Sequence, residues 1–123
     1  MPFEITYDAT DDYVLATFTG QIHLPLVREY IAALLPVLEE TGCRRVLSDS
    51  TQAQVHLSDA DIIQLPRMAE ASPLTAALKR AALASEGSSG YAMYETLSKM
   101  QGQYLRVFSD RDEALQWLLS DRE

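Results

Sequence analysis

Residues Tyr104 to Leu119, YLRVFSDRDEALQWLL, decide the fold. Tyr104-Leu105-Arg106-Val107-Phe108 alternates and is rich in aromatic and β-branched residues, which predicts a strand. Ser109 and Asp110 are helix N-cap residues, and Asp110 stands three residues before Glu113, the capping-box spacing. Ala114, Leu115, Trp117 and Leu118 then share one helical face, which must lie against a large apolar surface. A strand, a cap and a helix thus follow one another within sixteen residues. Trp117 and Leu118 are both expected to be largely buried.

The same grammar extends backwards along the chain. Phe3, Ile5 and Tyr7 alternate with Glu4, Thr6 and Asp8, which predicts a half-solvated strand; Asp11-Asp12 turn it back into a second strand, Tyr13 to Thr19. Gly20 is expected to end that ladder. Leu24-Pro25 opens a helix with Val27, Ile31, Leu34, Leu35 and Leu38 on its buried stripe, and Gly42 stops it. Pro36 inside it should kink or split it. Arg44 to Asp49 is the third strand, followed by a polar loop from Ser50 to His56. Ser58 and Asp61 form a capping box ahead of Ile62, Ile63, Leu65 and Met68, in a helix that Pro66 should shorten or bend and that Ala71-Ser72-Pro73 ends. The alanines of Leu74 to Ser85 favour helix locally, but the surrounding order calls for a strand at Lys79 to Ser85. Gly87-Ser88-Ser89-Gly90 is a loop, and Met93, Leu97 and Met100 share a face of the helix after it, which Gly102 closes. The order is ββαβαβαβα, an α/β chain, and right-handed crossovers make strands two to five parallel.

With 123 residues, 47% of them apolar, the chain is expected to be one domain, 1–123, with a core that needs neither disulfide nor metal. Its lone cysteine, Cys43, fits a reducing compartment. A formal charge of −8 repels phosphate backbones and anionic membrane surfaces, which argues against nucleic-acid and membrane partners. No apolar run approaches the ~18 residues that span a bilayer, and the start lacks a signal-peptide pattern. The expectation is a soluble cytoplasmic protein.

The element order, together with Val107-Phe108-x-Asp110-x-x-Glu113-Ala114-x-x-Trp117-Leu118 and the Gly90-Tyr91-Ala92-Met93-Tyr94-Glu95 segment, resembles the SpoIIAA-like, or STAS-like, family of small bacterial proteins. The resemblance implies a mixed five-stranded sheet of consecutive parallel βα turns, with helices mainly on one face. In the family's anti-sigma-factor antagonists a serine after the third strand, at a helix start, is phosphorylated, which points to Ser50 or Thr51 as phosphoacceptor. This chain lacks the glycine of that motif and places Gln52 to Leu57 before Ser58. The resemblance further implies a non-enzymatic regulatory or protein-interaction module, self-associating as a homodimer and needing no cofactor. The alternative is a binding protein for a small apolar, lipid-like or anionic ligand, by analogy with lipid-carrier domains of similar outline.

Residues with chemical potential form no assembled set. Ser50, His56 and Asp59 or Asp61 have the types of a hydrolytic triad, but no G-x-S-x-G elbow is present. His23, His56 and Cys43 lack metal-ligand spacing, and the acids at 49, 59 and 61 suit helix starts instead. Ser88, Ser89 and Gly90 at a helix start would hold an anion through backbone N–H groups. Met68, Met93, Met100, Tyr91 and Tyr94 would line an apolar pocket or, at their helical spacing, fill the core. Arg45, Arg80 and Arg106, each in one of the last three strands, are expected to form a positive row across an open sheet face, a surface for a partner or an anion.

Overall fold

The computed structural model describes residues 2–70, 78–85 and 90–120. Five strands, β1 (Phe3–Asp8), β2 (Tyr13–Ile22), β3 (Arg45–Val55), β4 (Lys79–Leu83) and β5 (Tyr104–Phe108), form one sheet in the order of the chain. β1 and β2 are antiparallel and every later pairing is parallel. The helices are α1 (Leu24–Thr41), α2 (Asp59–Glu70), α3 (Tyr91–Met100) and α4 (Arg111–Leu118). The expected α/β order ββαβαβαβα is the one observed.

Local chemistry accounts for the element ends. The β1–β2 turn closes on the Asp8 carboxylate, which accepts from the Thr10 and Asp11 amides at 2.9 and 3.0 Å. His23 Nδ1 caps α1 by accepting from the Leu26 amide at 3.3 Å. Ser58 and Asp61 exchange two 3.1 Å bonds, the reciprocal box expected at the head of α2. Asp110 caps α4 through the amides of Asp112 and Glu113.

Two strand boundaries differ from the sequence expectation, and neither internal proline ends its helix. α1 runs unbroken across Pro36; both Pro36 and Ala32, whose carbonyl loses its partner there, are solvent-exposed residues, which lowers the cost of the missing bond. α2 likewise continues through Pro66. β2 does not stop at Gly20, and the supposed loop from Ser50 is strand as far as Val55. Pairings from Thr19↔Gln52 to Ile22↔Val55 supply both stretches with backbone partners, and glycine takes the φ of 75° that β2 needs at position 20. The expected α2 ending at Ala71-Ser72-Pro73, like residues 74–77 of the ambiguous segment, lies outside the described residues, and β4 covers Lys79–Leu83 of the remainder.

Register fixes which side chains share a face. Val14, Val46, Arg80 and Leu105 stand side by side across β2 to β5, and the neighbouring line, Leu15, Leu47, Ala81 and Arg106, points the opposite way. The first face carries α1 through Leu34 and Leu38, with α2 and α3 beside it. The second face carries α4, whose Ala114 and Leu118 bury against Tyr13, Leu47, Ala81 and Leu83. Three helices on one face and one on the other match the expected arrangement. Trp117 is half-buried instead of largely buried, because it lies at the sheet margin. Its ring meets Tyr104 and Phe108, and the Lys79 ammonium sits 4.7 Å from the ring centroid while donating to the Trp117 carbonyl at 2.6 Å.

The docking of α4 therefore depends most on Leu118. Leu118→Ala should cost about 2–5 kcal/mol and Trp117→Ala less. Urea midpoints that rank the two variants the other way would show that the margin, not the centre, holds this helix.

Candidate functional site

The face under α1, α2 and α3 is not filled. A cavity of about 130 Å³ lies between those helices and the sheet. Its floor is Ser48 and Ser50 of β3, Arg80 and Ala82 of β4 and Leu105 of β5. Tyr30 and Leu34 of α1, Ile62 of α2 and Tyr91 and Tyr94 of α3 form its walls. The space exists because Ser48 and Ala82 are small where a sheet of this kind usually presents larger branched residues. Gly90 then lets α3 close in: at its φ of 87°, an added Cβ would stand 2.7 Å from Ile62 Cδ1.

One cation enters this apolar space. Arg80 donates to the Tyr94 hydroxyl at 3.3 Å and to Gln103 Oε1 at 2.5 Å. Gln103, itself buried, donates its amide to the Pro66 carbonyl at 2.6 Å. A relay from α2 through Gln103 thus holds the guanidinium in place, and every partner in it is neutral. Nε of Arg80 is buried and meets no acceptor among the described residues. Among the described residues no aspartate or glutamate lines the cavity, and no described carboxylate pairs with Arg80. A cation drawn from water toward low dielectric gains strongly from an anion, because its own hydration has been partly removed.

At the opposite end, Ser50 donates to the Leu83 carbonyl at 3.1 Å and makes a short bond with the Tyr91 hydroxyl. A serine hydroxyl has one proton, so with that proton on Leu83 it must accept from Tyr91. The backbone makes this placement possible. Between Thr17↔Asp49 and Thr19↔Gln52 the β2–β3 register shifts, and β3 carries the extra residue, a bulge at Ser50-Thr51. Asp49 satisfies the bulge by accepting from the Thr51 amide and hydroxyl at 3.0 and 2.7 Å, and it meets Arg111 of α4 at 3.4 Å.

The sequence candidates fall into several groups. Ser50 and Thr51 lie inside a strand and not in a loop at a helix start; Ser50 is 9% exposed with its hydroxyl engaged. The three arginines form no row. Arg45 and Arg106 point to the α4 face while Arg80 points into the cavity, because one step of register reverses the side-chain direction. Arg45 donates to the Asp11 carbonyl at 3.4 Å and Arg106 lies over the Phe108 ring. Ser88 and Ser89 lie outside the described residues, whereas Gly90 borders the cavity. Tyr91 and Tyr94 do line the pocket; Met68, Met93 and Met100 do not, and Met100 is 77% exposed. The triad types are not assembled: His56 is exposed at the end of β3, and Asp61 is engaged with Ser58. Among the described residues no three acids, histidines or cysteines cluster as a metal site would require. Cys43 is buried, and that burial raises its thiol pKa. Sequence reasoning missed Tyr30, Ser48, Ile62 and Gln103, which carry no motif and join the site only through packing.

Burial raises the hydroxyl pKa of Tyr91 and raises that of Tyr30 further, from an ordinary 10.0, with nearby Arg80 opposing the second shift. A folded value above the unfolded one leaves stability intact below pH 10 and removes it as pH rises beyond, since the native state then holds the extra proton. Tyr30→Phe should flatten the alkaline fall in unfolding midpoint; a fall as steep as the parent's would place the titration elsewhere.

No family model matches the sequence, and no curated protein matches it. Solved structures do. An anti-sigma factor antagonist from Mycobacterium paratuberculosis superposes with a TM-score of 0.62 at 15% identity, over 96% of this chain and 95% of that one. A DUF3478-family protein with a SpoIIAA-like fold from Shewanella loihica gives 0.57 at 19% identity, over 94% and 91%. Among the described residues no helix is long and apolar enough to cross a membrane. At these identities the likeness concerns architecture: this chain has the SpoIIAA-like fold.

Proposed function

We propose that the chain, as one STAS-like domain over residues 1–123, is a non-enzymatic binding module that takes a small ligand between its sheet and α1, α2 and α3. The observation that carries this reading is the cavity, apolar over most of its wall and holding a guanidinium without a counter-ion among the described residues. Sites for small molecules have this make-up, an apolar enclosure with a few fixed polar groups. Core packing alone favours filling such a space, since each void forfeits contact energy. Ligand occupancy would alter how α2 and α3 lie on the sheet, and so give a regulatory module something to report.

A second reading, a protein-interaction module that forms a homodimer, draws support from the likeness to an anti-sigma factor antagonist. The two readings are compatible, since a ligand under the helices and a partner on their outer surfaces do not compete for the same atoms.

Toluene tests the pocket without invoking charge. In methyl-selective NMR it should shift Leu34, Val46, Ile62 and Leu105 and leave Leu47 and Leu118, on the other face, in place. Shifts spread evenly over both faces, or none at saturating toluene, would remove the pocket as a binding site.

A further inference from the structure

We infer that the ligand is a small carboxylate with a compact, ring-sized apolar body, its head group paired with Arg80. The inference rests on the pocket reading above and adds the ligand's charge and size.

The charge follows from what Arg80 lacks. A guanidinium has five N–H donors. Tyr94 takes one from one terminal nitrogen and Gln103 takes one from the other. Three of the five, the Nε hydrogen and one on each terminal nitrogen, are therefore left without an acceptor among the described residues, and a carboxylate is the group that accepts from a guanidinium with two oxygens. The acceptors in place are neutral, and the lining carries no acid among the described residues. Next to Arg80, Ser48 is half-buried on the cavity floor and makes no side-chain hydrogen bond to any described residue, which leaves a second donor for the same head group. The Tyr30 hydroxyl, kept protonated by its burial, lines the same space.

The size follows from the volume. A dry cavity of roughly 150 Å³ holds one benzene, and this one has about 130 Å³. An acyl chain of lipid length exceeds this volume and would have to project from the pocket's open side, so the lipid-like part of the alternative considered from sequence narrows to a body of about one ring held inside. Leu34, Ile62 and Ala82 supply the apolar contacts for it. The Gln103 relay explains why Arg80 stays pointed inward when the pocket is empty: its rotamer is fixed before binding, so little side-chain entropy remains to be lost.

Calorimetric titration of the intact protein with phenylacetate, 2-phenylethanol and decanoate tests both parts. Phenylacetate should bind at least about tenfold more tightly than its neutral counterpart 2-phenylethanol, the difference a charge-assisted pair supplies. Arg80→Gln should weaken phenylacetate at least about tenfold more than it weakens 2-phenylethanol, and Arg80→Lys should keep part of the preference. Decanoate should bind no better than phenylacetate. Equal affinity for phenylacetate and 2-phenylethanol in the parent protein would overturn the anionic head group yet leave the pocket reading standing, and this comparison needs no variant to fold. Tighter binding of decanoate would overturn the compact body. If none of the three compounds binds and toluene also leaves the methyl resonances unmoved, both this inference and the pocket reading fall.

Discussion

A guanidinium placed on the covered face of a parallel sheet is the constraint around which half of this structure is arranged. Parallel sheets with helices on their faces usually carry branched apolar side chains at every inward position. Here the register line Val14, Val46, Arg80 and Leu105 contains one cation among apolar neighbours. Burying it without partners would cost several kcal/mol. The structure meets part of that cost with neutral acceptors, Tyr94 from α3 and Gln103 from the turn before β5, and fixes Gln103 in turn on the carbonyl of Pro66. α2, α3 and the turn that follows α3 are thereby tied to one side chain of β4.

The α4 face works by a different logic. It is closed by shape, with Ala114 and Leu118 fully buried over Leu47 and Ala81, and its polar contacts lie at the rim, where Lys79 and Arg111 anchor the two ends of the helix. One face of the sheet is thus a conventional core and the other a core with a ligand-sized gap. Both faces contribute buried core, the α1 side through Val14, Leu34, Leu38 and Val46 and the α4 side through Leu47, Ala81 and Leu118.

The fold was legible because its signals are local. The strand, cap and helix of Tyr104 to Leu119 lie where their alternation and Asp110 indicate, and the Ser58–Asp61 box is formed as its spacing requires. What failed depended on partners far along the chain. Residues 50 to 55 look like a loop until β2 is known to extend past Gly20 and pair with them. The three arginines look like a row until register shows Arg80 one step out of phase. The pocket was half legible: Tyr91 and Tyr94 stand out at helical spacing, but Ser48, Ala82 and Gln103 are ordinary residues that matter only because the sheet brings them beneath three helices. Resemblance helped with architecture. At Ser50 it pointed to a loop before a helix, where this chain has a bulge inside a strand.

The most direct test is a crystal structure of the protein grown with 4-bromobenzoate, read by the anomalous signal of bromine. The account predicts one strong peak in the cavity bounded by Leu34, Ile62 and Ala82, with the carboxylate on the terminal nitrogens of Arg80 and the Gln103 bond to that arginine intact. An empty cavity at saturating ligand, or an Arg80 side chain turned out to solvent with the helices closed over Ala82, would contradict it.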